Sequence, residues 1–342
     1  MHSSVRTALV AVLGVVLLAL FLRHADLRQV WGEVERSRWD LVAFSVVVTG
    51  LTYLLRAVRW QYLLAPIGSV RFLTAFRTTV IGFAATALLP ARAGEVLRPY
   101  LLARREGLSA TAAFATIVLE RVLDTVMVLL LFGVFLLFSD PSVGGADALS
   151  FGRLKTGGLI VAVASVAALV VMFVLAGRPA MLTSLERALG NWLPSSIASR
   201  LMRLVHAFAE GLAIVRQPVR LAVALLLSVP LWLSIALGIW AVSRAFHIDL
   251  PFMGSFLIMA LLVVGVAVPT PGAVGGFHYF YRLGAVAFYD APNDRAVGAA
   301  IVLHAVSFLP VALAGLIFLA QDGLSLASVG RLARARRAEE PT

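Results

Sequence analysis

The chain is built from apolar runs too long for a soluble core. Those at 113–138, 156–176, 221–243 and 296–320 each reach the roughly 20 residues that a helix needs to cross the hydrocarbon of a bilayer. Shorter runs at 7–22, 41–55, 76–90, 254–268 and 277–289 lie between them. Only 14% of the 342 residues are charged and 61% are hydrophobic, whereas a soluble domain carries about 25% charged residues. The apolar surplus must face lipid. A soluble enzyme, a disordered chain and a secreted disulfide scaffold are thereby excluded, the last also because there is no cysteine. The expected class is an all-α polytopic membrane protein.

The basic residues are 28 Arg and one Lys, Lys155, and the net charge is +11. They cluster between apolar runs, as in loops that face anionic headgroups. No basic face interleaved with aromatics accompanies them, so nucleic acid is not an expected partner. The run at 7–22 leads into Arg23-His24-Ala25-Asp26, which offers no small-residue cleavage site, and it reads as a retained helix rather than a signal peptide. Leu27, Val30, Trp31 and Val34 then recur at helical spacing among balanced charges, which predicts a helix lying on the membrane surface.

Two runs break at Pro/Gly-rich segments and then resume: Pro90-Ala91-Arg92-Ala93-Gly94, and Pro269-Thr270-Pro271-Gly272-Ala273-Val274-Gly275-Gly276. If each interrupted pair returns to the side it entered from, about six spans remain and both termini share one face. Nineteen of the 29 basic residues then lie on that face and nine on the other, with Arg121 alone inside a span. The positive-inside rule puts that face in the cytoplasm. The first re-entrant hairpin, about 76–105, then enters from the cytoplasm and the second, about 254–289, from outside, as an inverted repeat. Both share a Pro-x-x-x-Gly spacing, Pro90 to Gly94 and Pro271 to Gly275. Interrupted hydrophobic segments in corresponding positions point to a transporter's binding site, because non-helical backbone survives at membrane depth only when buried in protein or lining a cavity. Two kinked ordinary spans are the alternative. Residues 1–330 form one membrane domain in this reading, and 331–342 a basic cytoplasmic tail.

Charged residues at these breaks are the candidate site. Arg92 and Arg98 flank Gly94 and Glu95, and guanidinium forks suit phosphate oxygens; a broken helix could converge both on one anion, with Glu95 holding them. Solvated loop charges are the plainer reading. Glu120, Arg121 and Asp124 sit in the run 113–138, nearer its cytoplasmic end than its middle, where each intramembrane charge costs roughly 2.5–3.5 kcal/mol on insertion scales. They either pin helices together or line a substrate or proton path, and Arg56, Arg59, Arg92 and Arg98 are all possible partners. Arg56 and Arg59, beside Tyr53 and Trp60, read first as an interfacial anchor. The second break contributes Pro271, Gly272 and Gly275, with His278 just inside the returning helix.

Catalytic signals are weak. Only His278 and His304 fall in apolar segments, and no H-x-x-x-H or H-E-x-x-H spacing, Walker loop or nucleophile elbow occurs, so neither a metal nor a cofactor is expected. Glu120 and Asp124 could form an acid/base pair, but Arg121 between them argues for ion pairing.

Leu55-Arg56-Ala57-Val58-Arg59-Trp60, Leu89-Pro90-Ala91-Arg92-Ala93-Gly94-Glu95-Val96-Leu97-Arg98, Leu119-Glu120-Arg121-Val122-Leu123-Asp124 and Pro269-Thr270-Pro271-Gly272 together resemble the flippase-like membrane domain of lysylphosphatidylglycerol synthases (the multiple peptide resistance factor family) and its stand-alone relatives. The resemblance spans roughly 40–320. It implies a multi-pass protein of the bacterial inner membrane, both termini cytoplasmic, that moves a phospholipid or lipid-linked headgroup between leaflets. Membrane lipids, anionic or phosphate-bearing, are then the expected partners. An accessory scaffold for an envelope-lipid or glycan enzyme, or a membrane-embedded lipid-modifying enzyme, are the other readings, and an oligomer is compatible with all three. The synthases continue into a soluble aminoacyl-transferase domain for which this sequence leaves no room before Thr342, so aminoacylation is not expected. His278 also stands where the family usually has an acid, which bears on the substrate.

The topology has a direct test, because single cysteines can be introduced into this Cys-free chain. In intact cells an impermeant thiol reagent should spare cysteines near Ser109 and Ser199 and label those near Ser142 and Asn293. External labelling within 91–112 would overturn the cytoplasmic entry of the first hairpin.

Overall fold

The computed structural model describes residues 25–89, 92–138, 209–267 and 270–323, with single positions among 16–22, 156–167 and 202–207. The expected spans at 7–22 and 156–176 lie wholly or largely outside the described residues, as do Pro90, Ser142, Ser199, Pro269 and the tail 331–342.

Among the described residues all regular structure is helical. A short helix α1 (Leu27–Glu35) is capped by Asp26, whose carboxylate accepts from the Arg28 and Gln29 amides, and it buries only Val30. Leu27 and Trp31 stay exposed. Then come α2 (Trp39–Leu64), α3 (Phe72–Leu88), α4 (Gly94–Glu106), α5 (Ala110–Phe138), α6 (Pro218–Ala245), α7 (Gly254–Ala267), α8 (Gly276–Tyr289) and α9 (Asn293–Gln321). Helices α2, α5, α6 and α9 are long and apolar enough to span, yet under half of each apolar stretch is buried within the protein. The rest faces lipid, so this is a polytopic membrane protein. The second apolar run, read as 41–55, continues as helix through Arg56, Arg59 and Trp60 to Leu64.

The packing pairs two similar halves. Helix α2 lies along α6 through a polar seam: Ser45 Oγ donates to the Gly238 carbonyl at 3.2 Å, Thr52 Oγ1 meets Ser234 Oγ at 2.7 Å, and Arg59 Nη1 donates to Ser228 Oγ at 2.8 Å. The partners ascend on α2 as they descend on α6, so the helices are antiparallel. Small and hydroxyl residues are what close helix pairs in lipid use. Exchanging α2, α3, α4 and α5 with α6, α7, α8 and α9 maps one set of contacts onto the other. Thus α3 packs on α9 as α7 packs on α5, and α4 follows α3 as α8 follows α7.

Two hairpins of short helices occupy the middle. At about 1.5 Å per residue, the 17 residues of α3 and the 14 of α7 fall short of a 30 Å hydrocarbon core. The α3/α4 hairpin springs from the end of the molecule where α2 finishes, and α7/α8 from the end where α6 finishes. Since α2 and α6 are antiparallel, the hairpins enter from opposite ends. Their tips meet: a Cβ on Gly272 would lie 3.4 Å from the Ala87 carbonyl.

Glycine permits each hairpin to close. A Cβ on Gly94 would collide with the Gly82 carbonyl, and one on Gly265 would come to 2.6 Å from the Gly276 carbonyl, backbone atoms that cannot turn aside. Ion pairs fasten the two ends of the bundle. Asp322, after α9, holds Arg77 of α3 at 3.1 Å and also Arg105 of α4, while Glu33 of α1 holds Arg295 of α9 at 3.0 Å. Gly94→Ala should therefore destabilise by the ~1–3 kcal/mol typical of overpacking, read as a lower melting midpoint in detergent. Gly50→Ala, in open space on α2, should be neutral or slightly stabilising.

Candidate functional site

Helix α5 places Glu120 and Asp124 one turn apart on the same face, both buried. Because α5 begins at Ala110, Glu120 lies about 15 Å along it and Asp124 stands at the middle of its 29 residues. The cluster is thus central, deeper than the apolar run 113–138 suggests, because the helix starts earlier than that run.

Three helices bring arginines to these acids. Arg98 of α4 makes a two-pronged pair with Glu120, Nη1 to Oε1 at 3.0 Å and Nη2 to Oε2 at 3.3 Å, and its guanidinium lies 3.8 Å from the centre of the Trp60 ring. Arg59 of α2 stands 2.7 Å from Asp124 Oδ1 and 3.8 Å from Glu120. Arg121 reaches Glu120 at 2.9 Å and Asp124 at 3.5 Å. Arg56 approaches Asp124 Oδ2 only to 3.9 Å and lies over the Phe83 ring at 4.9 Å. Trp232 of α6 closes the cluster by donating Nε1–H to Asp124 Oδ1 at 3.0 Å.

Arg56 and Arg59 are thus not an interfacial anchor. Arg59 is fully buried and Arg56 nearly so, because α2 runs on past them and turns them toward α5. Among the described residues four guanidiniums face two carboxylates, and Arg56 Nη1, Arg59 Nε and Nη2, Arg98 Nε, Arg121 Nε and Asp124 Oδ2 are buried without a hydrogen bond. Arg92 is not the partner of these acids. It pairs with Glu95 at 3.1 Å, both half exposed, at the hairpin tip. Arg92 and Arg98 are therefore separated in their partners rather than drawn to one anion: Arg92 has a left-handed backbone just before α4, and Arg98, one turn inside it, points to α5.

The second hairpin is uncharged at its tip. Gly272 and Gly275 take positive φ, which glycine tolerates at no steric cost, in and just after a short 3-10 turn, Pro271–Ala273. The Gly275 amide donates to His278 Nδ1 at 3.4 Å, and the His278 ring packs at a tilt against His304 of α9 with 4.5 Å between ring centres. The His304 Nε2 contacts the Gly272 carbonyl at 2.7 Å. The acceptor there is a carbonyl, so this nitrogen carries the proton. Phe277 and Phe308 pack edge-on and stacked against His304.

Trp60, Ser228, Trp232 and His304 are the site neighbours that sequence reasoning did not assign. Trp60 had a signal, its place in the Arg56–Trp60 segment. Trp232 had none, being a lone aromatic in an apolar helix. No group of three or more metal-ligating side chains occurs among the described residues.

Removing one partner of a buried pair strands the other charge, at a cost of about 3–5 kcal/mol. Glu120→Gln should accordingly lose most folded yield on size exclusion. Pairing it with Arg98→Met should recover a large part, because the stranded guanidinium goes with its acid.

The family described as Lysylphosphatidylglycerol synthase TM region matches residues 6–315. A curated relative, the Glycosyltransferase AglD of Haloferax volcanii, is 30% identical over 141 residues, 41% of this chain and 22% of that protein. The chain thus matches under a quarter of that relative's length. With the family match running through every described helix from α1 into α9, including both hairpins and the arginine–carboxylate cluster, this chain belongs to the lysylphosphatidylglycerol synthase transmembrane-region family.

Proposed function

We propose that the protein is a lipid flippase-like transporter of the bacterial cytoplasmic membrane, with both termini cytoplasmic, carrying a phospholipid or lipid-linked headgroup between leaflets. One observation carries this reading: two short-helix hairpins enter from opposite ends and meet tip to tip, at Ala87 and Gly272, beside a buried cluster richer in guanidinium than in carboxylate. Opposed broken helices supply a pathway that can open to one side at a time. The guanidiniums supply the chemistry for an anionic headgroup. Membership in a synthase membrane-region family favours a membrane-lipid role. The sequence has no Walker loop, and movement in this reading is downhill or ion-coupled.

Similarity to the Glycosyltransferase AglD of Haloferax volcanii favours a second reading, a membrane module that serves a lipid-linked glycan enzyme. Reconstitution separates the two. The purified protein alone, in liposomes carrying a headgroup-labelled phospholipid, should speed exchange between leaflets at least about tenfold over protein-free vesicles. Ala87→Cys combined with Gly272→Cys, oxidised to join the tips, should stop exchange, and reduction should restore it. The left-handed φ at Gly272 costs a cysteine there about 1–2 kcal/mol, so the reduced protein is its own control. Exchange no faster than in empty liposomes would favour the glycan-enzyme module.

A further inference from the structure

The charge balance of the cluster names a class of headgroup. Arg98 is matched to Glu120 by two hydrogen bonds, and Arg59 is matched to Asp124 at 2.7 Å and further held by Ser228. At the rim Arg92 and Glu95 neutralise each other. Arg56 and Arg121 remain: Arg121 hydrogen-bonds at 2.9 Å to Glu120 Oε1, an oxygen that Arg98 already binds, and Arg56 comes no nearer than 3.9 Å to Asp124, so each has only a share in an acid already taken. Both flank one oxygen, Asp124 Oδ2, at 3.9 and 3.5 Å, and that oxygen accepts no hydrogen bond among the described residues. Arg56 is nearly buried, and its Nη1 is without a hydrogen bond. The Arg121 side chain is 37% exposed and gives the pair its opening.

Among the described residues the cluster sets four guanidiniums against two carboxylates, a surplus of two positive charges in a bundle where uncompensated charge is costly. A ligand that brings two negative charges on one compact group cancels them. A phosphate monoester carries about −1.5 to −2 at pH 7 with three free oxygens, which two forks can grip side by side. A phosphodiester brings one charge and two free oxygens.

We propose that Arg56 and Arg121 form a receptor for a phosphate dianion, the headgroup of a lipid phosphomonoester in preference to a phosphodiester. This deepens the transport reading above and rests on it for the lipid, while the charge argument stands on the geometry. The test is binding to the purified full chain in detergent, followed by native mass spectrometry, with dioctanoyl phosphatidic acid, dioctanoyl phosphatidylglycerol and inorganic phosphate as probes. Phosphatidic acid should bind at least about tenfold more tightly than phosphatidylglycerol. Arg56→Gln and Arg121→Gln should each shrink that preference to about threefold or less, while Arg77→Gln, at the far edge, keeps it. The exposed Arg121 variant serves if the buried one does not fold. Inorganic phosphate that displaces phosphatidic acid at equal concentration would keep the dianion site but assign it to a soluble ligand; failure to displace at a hundredfold excess assigns it to lipid. Equal affinity for the two lipids, or a preference unchanged in both glutamine variants, would overturn the proposal. Should neither lipid cross in liposomes while the binding preference stands, the transport reading falls and the phosphate site does not.

Discussion

The ion-pair network around Glu120 and Asp124 is the constraint on which the rest of the bundle depends. Each charge would cost roughly 2.5–3.5 kcal/mol in a lone membrane helix, and the cost is offset only when α2, α4, α5 and α6 come together. Arg98 binds the first hairpin to α5, Arg59 binds α2 to α5, and Trp232 and Ser228 bring α6 to the same point. A helix as short as α4, 13 residues with Pro99 inside it, cannot hold a position in lipid by its own apolar surface. The two-pronged Arg98–Glu120 pair and the backbone contact at Gly94 give it one.

The two halves share a backbone plan and differ in chemistry. Each has a long helix, a hairpin closed by a glycine contact, and a 29-residue helix. Arg121 and His304 stand at the same position of those two equal helices, yet one lies among charges and the other among aromatic rings. Charges gather beside the first hairpin and aromatic rings beside the tip of the second, and in the proposed transport reading that contrast suits an amphipathic cargo, because phosphate and acyl chain need different surroundings along one route.

Much of this was legible in the residues. Apolar length marked the spans, and α7 and α8 begin and end where the apolar pattern of 254–289 does. The glycine and proline breaks marked both hairpins. Glu120 and Asp124 at four-residue spacing were bound to share a face. What could not be read was which arginine meets which acid: Arg56, Arg59, Arg92 and Arg98 carry the same group on equally flexible stems, and only the path of α2 beyond the apolar run, and the turn before α4, send three of them inward and Arg92 to Glu95.

The sequence by itself determined that the chain lives in a bilayer, that it is helical, and that two of its apolar runs are broken in matching ways, because those properties follow from residue type and spacing along one dimension. The tertiary structure alone decided that the breaks meet tip to tip, that Trp232 reaches Asp124 and His304 the Gly272 carbonyl, and that among the described residues the cluster holds four guanidiniums against two carboxylates. Each of those depends on which helices become neighbours, and neighbours are chosen by the antiparallel α2–α6 seam and the glycine crossings rather than by local spacing.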